Sequence, residues 1–162
     1  MWYNRLHMKY SRSLLLYQDN PAYGFLFKLI AIVLPGAFLG ASIYLWITDE
    51  AIGSALLLAE SFVVGLIFWF VFPHKYQVYQ DHLRIVLGGP FSIKVGFEQI
   101  KTLELTSRFA SSINFVTKIT KKRILIVRKR GMNIAITPQD NDAFIENANQ
   151  AMAQWERTRL VG

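Results

Sequence analysis

Hydrophobic and polar positions give the chain two textures. From Phe25 to Ile47, FLFKLIAIVLPGAFLGASIYLWI holds one charge, Lys28. From Ala51 to Phe72, AIGSALLLAESFVVGLIFWFVF also holds one, Glu60. As helices, these runs of 23 and 22 residues are each long enough to cross the roughly 30 Å of a bilayer's hydrocarbon core. Neither has the polar stripe that a helix of a soluble domain shows to water. Thr48, Asp49 and Glu50 are all that separates them, so the two helices are antiparallel neighbours. A cleaved leader is not expected, because a long segment precedes the first run and the second follows at once. The reading is two transmembrane helices, residues 25–47 and 51–72, joined by a short extracytoplasmic loop, 48–50.

Beyond Phe72 the period shortens. YQVYQ (Tyr76–Gln80), HLRIVL (His82–Leu87), FSIKVGF (Phe91–Phe97), IKTLELT (Ile100–Thr106), INFVTKI (Ile113–Ile119), RILIVRK (Arg123–Lys129) and MNIAIT (Met132–Thr137) have the length and content of strands. Asp81, Gly88–Pro90 and Arg108–Ser112 punctuate them. Seven strands are expected, followed by one helix. Thr137 is the N-cap candidate of that helix, Pro138 suits its first position, and Asp140 suits its first turn. Phe144, Ile145, Ala148, Ala151 and Met152 form its apolar stripe, and it is expected to reach about Trp155.

The first 24 residues read differently again. Trp2, Leu6, Tyr10 and Leu14 recur at helical spacing, while Arg5, Lys9 and Arg12 lie off that row. The pattern suits a short helix lying in a membrane interface; a disordered basic tail is the alternative. DNPAYG, Asp19 to Gly24, is then the turn into the first apolar run.

Charge sets the orientation. The 162 residues carry a formal net +7 with a pI near 9.8, which points to an anionic partner. The loop between the apolar runs has no Lys or Arg and two acids. The N-terminal flank has Arg5, Lys9 and Arg12, and the second run is followed by His74, Lys75 and a basic tail. The positive-inside bias therefore puts both termini in the cytoplasm of a cell whose inner membrane holds the hairpin. The absence of cysteine removes disulfides, thiolate metal sites and cysteine nucleophiles.

Seven strands closed by one amphipathic helix resemble the bacterial pleckstrin-homology-like (PH) domain. The local matches are YQVYQDHLRI at the start, GFEQIKTLEL in the middle and ITPQDNDAFI at the last strand-to-helix junction. Members of that family commonly carry the domain directly behind two membrane spans. The resemblance implies an α+β membrane protein: a two-helix transmembrane hairpin, then residues 73–162 as a cytoplasmic PH-like barrel or sandwich capped by its C-terminal helix. One departure stands out. Phosphoinositide-binding members of the wider superfamily place several basic residues around the first hairpin loop. Here QDH and GGP have only Arg84 and Lys94 nearby, so inositol-phosphate recognition does not carry over.

No catalytic or metal-binding pattern accompanies this. His7, His74 and His82 lie in separate segments without ligand spacing, and no nucleophile elbow, P-loop or zinc-protease motif occurs. Asp81 beside His82 reads as a turn pair. No cofactor is implied. Three groups of residues remain as candidates. Lys121, Lys122 and Arg123 precede the apolar block Ile124–Val127, and Arg128, Lys129 and Arg130 follow it. They either solubilise the ends of a buried strand or meet an anionic surface. Nucleic acid ranks last, because no aromatic-plus-basic string accompanies them. Glu60 sits near mid-span, where a carboxylate is costly unless paired, neutral or hydrated. Its readings are a hydrogen bond inside the hairpin, a polar contact to another subunit, or an ion site. Gly36 with Gly40, and Ser61 with Gly65, have the small-xxx-small spacing of close helix contacts.

The function expected is a non-catalytic membrane-anchored adaptor or scaffold, binding a protein partner, a second copy of itself or anionic lipid. The alternative is an accessory subunit of a transport or redox membrane complex, engaged through Glu60.

Overall fold

The computed structural model describes residues 13–107, 112–118 and 122–161. The apolar runs form helices α1 (Phe25–Ile47) and α2 (Ala51–Val71), the second ending one residue before the expected Phe72. Both are long and apolar enough to cross a membrane. Asp49 makes the turn between them with a positive φ of 66°, a conformation that Asp tolerates better than most residues.

Hydroxyls, not glycines, form the helix seam. The buried Ser42 Oγ donates to the Ser54 carbonyl at 2.8 Å and lies 3.2 Å from Ser54 Oγ. Ser61 Oγ donates to the Pro35 carbonyl at 3.0 Å. At the base of the hairpin, Phe27 meets Phe72 edge-on at 4.4 Å and Phe68 at 6.1 Å. A Cβ placed on Gly36, Gly40 or Gly65 would meet nothing within 4 Å. Of the four residues expected at the seam, only Ser61 belongs to it. Gly36 and Gly40 lie on the exposed side of α1, away from the seam.

Seven strands follow α2: β2 (Lys75–Tyr79), β3 (His82–Val86), β4 (Ser92–Gly96), β5 (Ile100–Thr106), β6 (Ser112–Phe115), β7 (Arg123–Arg128) and β8 (Asn133–Ile136). An eighth, β1 (Leu15–Asp19), precedes the hairpin. It pairs antiparallel with β2, Leu15 opposite Tyr79 and Asp19 opposite Tyr76. The two sheets run β1-β2-β3-β4 and β5-β7-β8-β6, with β6 parallel to β8. Leu15–Asp19 is therefore part of the sandwich, where the sequence suggested an interfacial helix or a disordered tail. Leu14 is not helical, and its carbonyl accepts the Gln80 N–H at 3.2 Å. Trp2, Leu6 and Tyr10 lie outside the described residues.

The core follows the alternation. Tyr76, Val78, Leu83, Ile85 and Val95 point inward from the first sheet, and Ile100, Ile124, Ile126, Ile134 and Ile136 from the second. Helix α3 (Asn141–Val161) adds Phe144, Ala148 and Ala151. Tyr76 also ties the sheets together, its hydroxyl donating to the Phe115 carbonyl at 2.9 Å. The N-cap of α3 is Asp140, whose Oδ1 accepts the Ala143 N–H at 3.0 Å. Thr137 is not the cap. It is buried, and its Oγ1 accepts the Thr117 N–H at 3.1 Å. The helix continues past Trp155, which packs edge-on to Phe97 at 6.2 Å.

Candidate functional site

The junction between hairpin and sandwich is built from both of the chain segments that cross it. On the way in, Pro21 bridges Pro138, the Ala22 N–H donates to the Thr137 carbonyl at 2.8 Å, and the Gly24 N–H donates to the Thr117 carbonyl at 2.9 Å. Thr117 Oγ1 returns a bond to the Ala22 carbonyl at 2.9 Å. On the way out, the His74 N–H donates to the Val86 carbonyl at 2.7 Å, and His74 Nε2 donates to the Trp69 carbonyl at 3.0 Å. The Tyr23 hydroxyl closes the gap between the two segments by donating to the Pro73 carbonyl. Burial raises the ionisation of this phenol above its ordinary range, which keeps it a donor.

The β3–β4 turn packs against the end of α2. A Cβ on Gly88 would sit 1.8 Å from the Trp69 carbonyl oxygen, so only glycine allows this approach. Gly89 has a φ of 63°, and Phe70 meets Phe91 edge-on at 5.6 Å. The GGP punctuation is thus the footing of the second helix.

The six basic candidates separate along β7. At its start Arg123 is 3% exposed, with one guanidinium nitrogen donating to the Ser107 carbonyl at 3.1 Å. It is a cation built into the junction rather than part of an outer patch. Lys122 beside it is exposed, and Lys121 lies outside the described residues. At the other end, Arg128 is held by Gln99, its Nη2 donating to Oε1 at 2.9 Å, while Lys129 and Arg130 are exposed around the Gly131 turn. A six-residue strand places the two clusters about 17 Å apart. The expected burial of Ile124–Ile126 holds. Charge content could not show which of the six is internal. Lys118 was not singled out by sequence, yet it comes to the foot of α1, its Cα 3.3 Å from where a Gly24 Cβ would sit. The signal available was its place directly after Thr117, at the end of an edge strand.

Glu60 faces outward from α2, and the seam bonds of Ser42, Ser54 and Ser61 do not involve it. The hydrogen bond inside the hairpin, one of its three readings, is not made. Elsewhere His82 Nδ1 donates to Asp81 Oδ1 at 2.7 Å and stacks on Tyr79 at 4.6 Å. The geometry is that of a turn pair braced by an aromatic ring. Arg84 and Lys94 are directly opposed across β3 and β4, in mid-sheet rather than at a loop.

No curated protein and no solved structure matches the chain. The family model for the bacterial PH domain matches residues 74–151. That stretch holds all seven strands after the hairpin and the first half of α3; β1 and the two apolar helices fall outside it. The two-sheet sandwich, its helical cap and the family match agree: residues 74–151 of this chain match the bacterial PH domain and have a PH-like fold.

Proposed function

We propose that the chain is a non-catalytic adaptor held in the cytoplasmic membrane. In this reading α1 and α2 cross the bilayer and both termini are cytoplasmic. The sandwich binds a protein partner at its far end and anionic headgroups at its near end. The observation that carries it is the double attachment. Strand β1 enters the hairpin and β2 leaves it, and the two strands are paired. A domain gripped at both ends of its anchor has a fixed pose, so one face meets the headgroups and the opposite face, with Arg128, Lys129 and Arg130, meets the cytoplasm. Exposed cations in that position suit an acidic protein surface.

A second reading rests on Glu60. A carboxyl on the outer face of an apolar helix is stabilised by a polar group on another membrane subunit or a second copy. Cross-linking of the full chain in native membranes separates the two. Replacing Arg128, Lys129 and Arg130 together with Glu is expected to remove the cytoplasmic partner and leave membrane partners in place. Glu60→Leu is expected to do the reverse, weakening assembly by about 1 kcal/mol, with Glu60→Gln near wild type. A partner set unchanged by the triple variant would end the adaptor reading.

A further inference from the structure

A cavity of about 490 Å³ opens at the foot of α1, within the size range of small-ligand sites. Phe25, Leu26 and Ile30 form one wall; Asn114, Lys118 and Arg123 form the polar end. Among the described residues no carboxylate lines it, so its charge is cationic. We infer that it binds one anionic glycerophospholipid, the phosphate at Lys118 and Arg123 and the glycerol and upper acyl carbons along Leu26 and Ile30.

Three features support this assignment, which rests on the membrane reading above. First, the cations are differently held. Arg123 is buried, and the Ser107 carbonyl fixes the plane of its guanidinium. A guanidinium held this way contributes a fixed positive charge at the polar end of the cavity. Lys118 is exposed and adds a mobile point charge. Second, α1 begins at this cavity with no acidic residue in its first turn and no side-chain cap, so its N-terminal dipole reinforces the cations. Third, the apolar wall is the outward side of α1 itself. Phe25 is 81% exposed and Ile30 45%, and the wall leads from the cations along the axis of the membrane span. A free phosphate would use the polar end and leave this wall without a role. A lipid uses both. The backbone clasp between Gly24 and Thr117 sets the cavity before any ligand arrives, which lowers the ordering cost of binding.

Native mass spectrometry of the full chain in mild detergent tests this, with phosphatidylglycerol, phosphatidylcholine and inorganic phosphate as probes. One phosphatidylglycerol should be retained, and phosphatidylcholine should bind about tenfold more weakly. Lys118→Glu should lower phosphatidylglycerol occupancy by about tenfold or more. Lys94→Glu, the same charge change at an exposed β4 position, should leave it unchanged. Ile30→Trp fills the apolar wall without touching a charge and should also lower occupancy, so the site is tested even where Lys118→Glu impairs folding. Equal retention of the two lipids overturns the proposal, as does equal loss from Lys94→Glu and Lys118→Glu. Competition by inorganic phosphate at concentrations equal to the lipid overturns it in favour of a free anion. Extraction of the chain from membranes by alkaline carbonate is scored separately. It would overturn the membrane reading whichever probe binds.

Discussion

Tyr76 shows how one side chain can serve two sheets. It is fully buried in β2, packs edge-on to Phe144 at 6.3 Å, and its hydroxyl reaches across to Phe115. Burial is the main reason its ionisation lies well above the ordinary 10.0. The sign follows. Above pH 10 the unfolded chain releases this proton and the folded chain keeps it, so stability is intact below that pH and declines as pH rises past it. Tyr76→Phe is expected to cost about 1 kcal/mol at neutral pH, through the lost hydrogen bond and the acceptor it leaves buried. The variant should also flatten the alkaline decline; denaturant titrations of the detergent-solubilised chain at pH 8 and pH 11 would measure both. Arg123 is the corresponding lesson for reading charge. It carries the same charge as Lys122 and Arg128, and its burial with a bond to the Ser107 carbonyl sets it apart. Thr137 was the expected cap and Asp140 only a first-turn acid; Asp140 caps the helix, and Thr137 is committed to Thr117, twenty residues back in the chain.

Among the elements, what was legible depended on how local the information is. The hairpin could be placed nearly to the residue because length and apolarity are properties of one segment. The seven strands behind it were legible from alternation, although the strand expected over Ile113–Ile119 is Ser112–Phe115. Strand β1 was not legible. Leu14, Leu15 and Leu16 do not alternate, and the strand's partner lies beyond two complete helices. The Gly36–Gly40 spacing suggested a seam, but spacing does not fix which face of a helix turns inward. Since Tyr17 on β1 packs against Phe144 at 6.2 Å, and Asp19 Oδ2 accepts the Asp140 N–H at 2.9 Å, β1 stabilises the cap of the sandwich as well as its edge. Deleting residues 1–19 is expected to lower the thermal midpoint by about 5 °C or more, although the deletion touches nothing in the family-matched stretch. Differential scanning fluorimetry against the full chain would read this directly, and an unchanged midpoint would mean that β1 contributes no stability.

For the molecule as a whole, orientation is the first thing to establish. A reporter active only outside the cytoplasm, fused after Gly162, should stay silent, and one placed between Asp49 and Glu50 should be active; the reverse pattern would invert the topology read from Lys and Arg placement. In the proposed orientation, the separation of basic residues along β7 gives the two ends of the sandwich different surroundings, one at the headgroups and one in the cytosol. The pairing of β1 with β2 also has a consequence in time. During synthesis β1 leaves the ribosome first and finds no partner, because α1 and α2 must be made before β2 exists. That edge of the sheet cannot close until the hairpin is complete, so in the membrane reading the hairpin is available for insertion before β1 is paired. Once Leu15–Asp19 has zipped onto Lys75–Tyr79, both ends of the hairpin are locked to one folded body. With α1 and α2 in a bilayer as proposed, pulling either across it would require unfolding the sheet, so the topology chosen at birth is kept for as long as the sandwich stays folded.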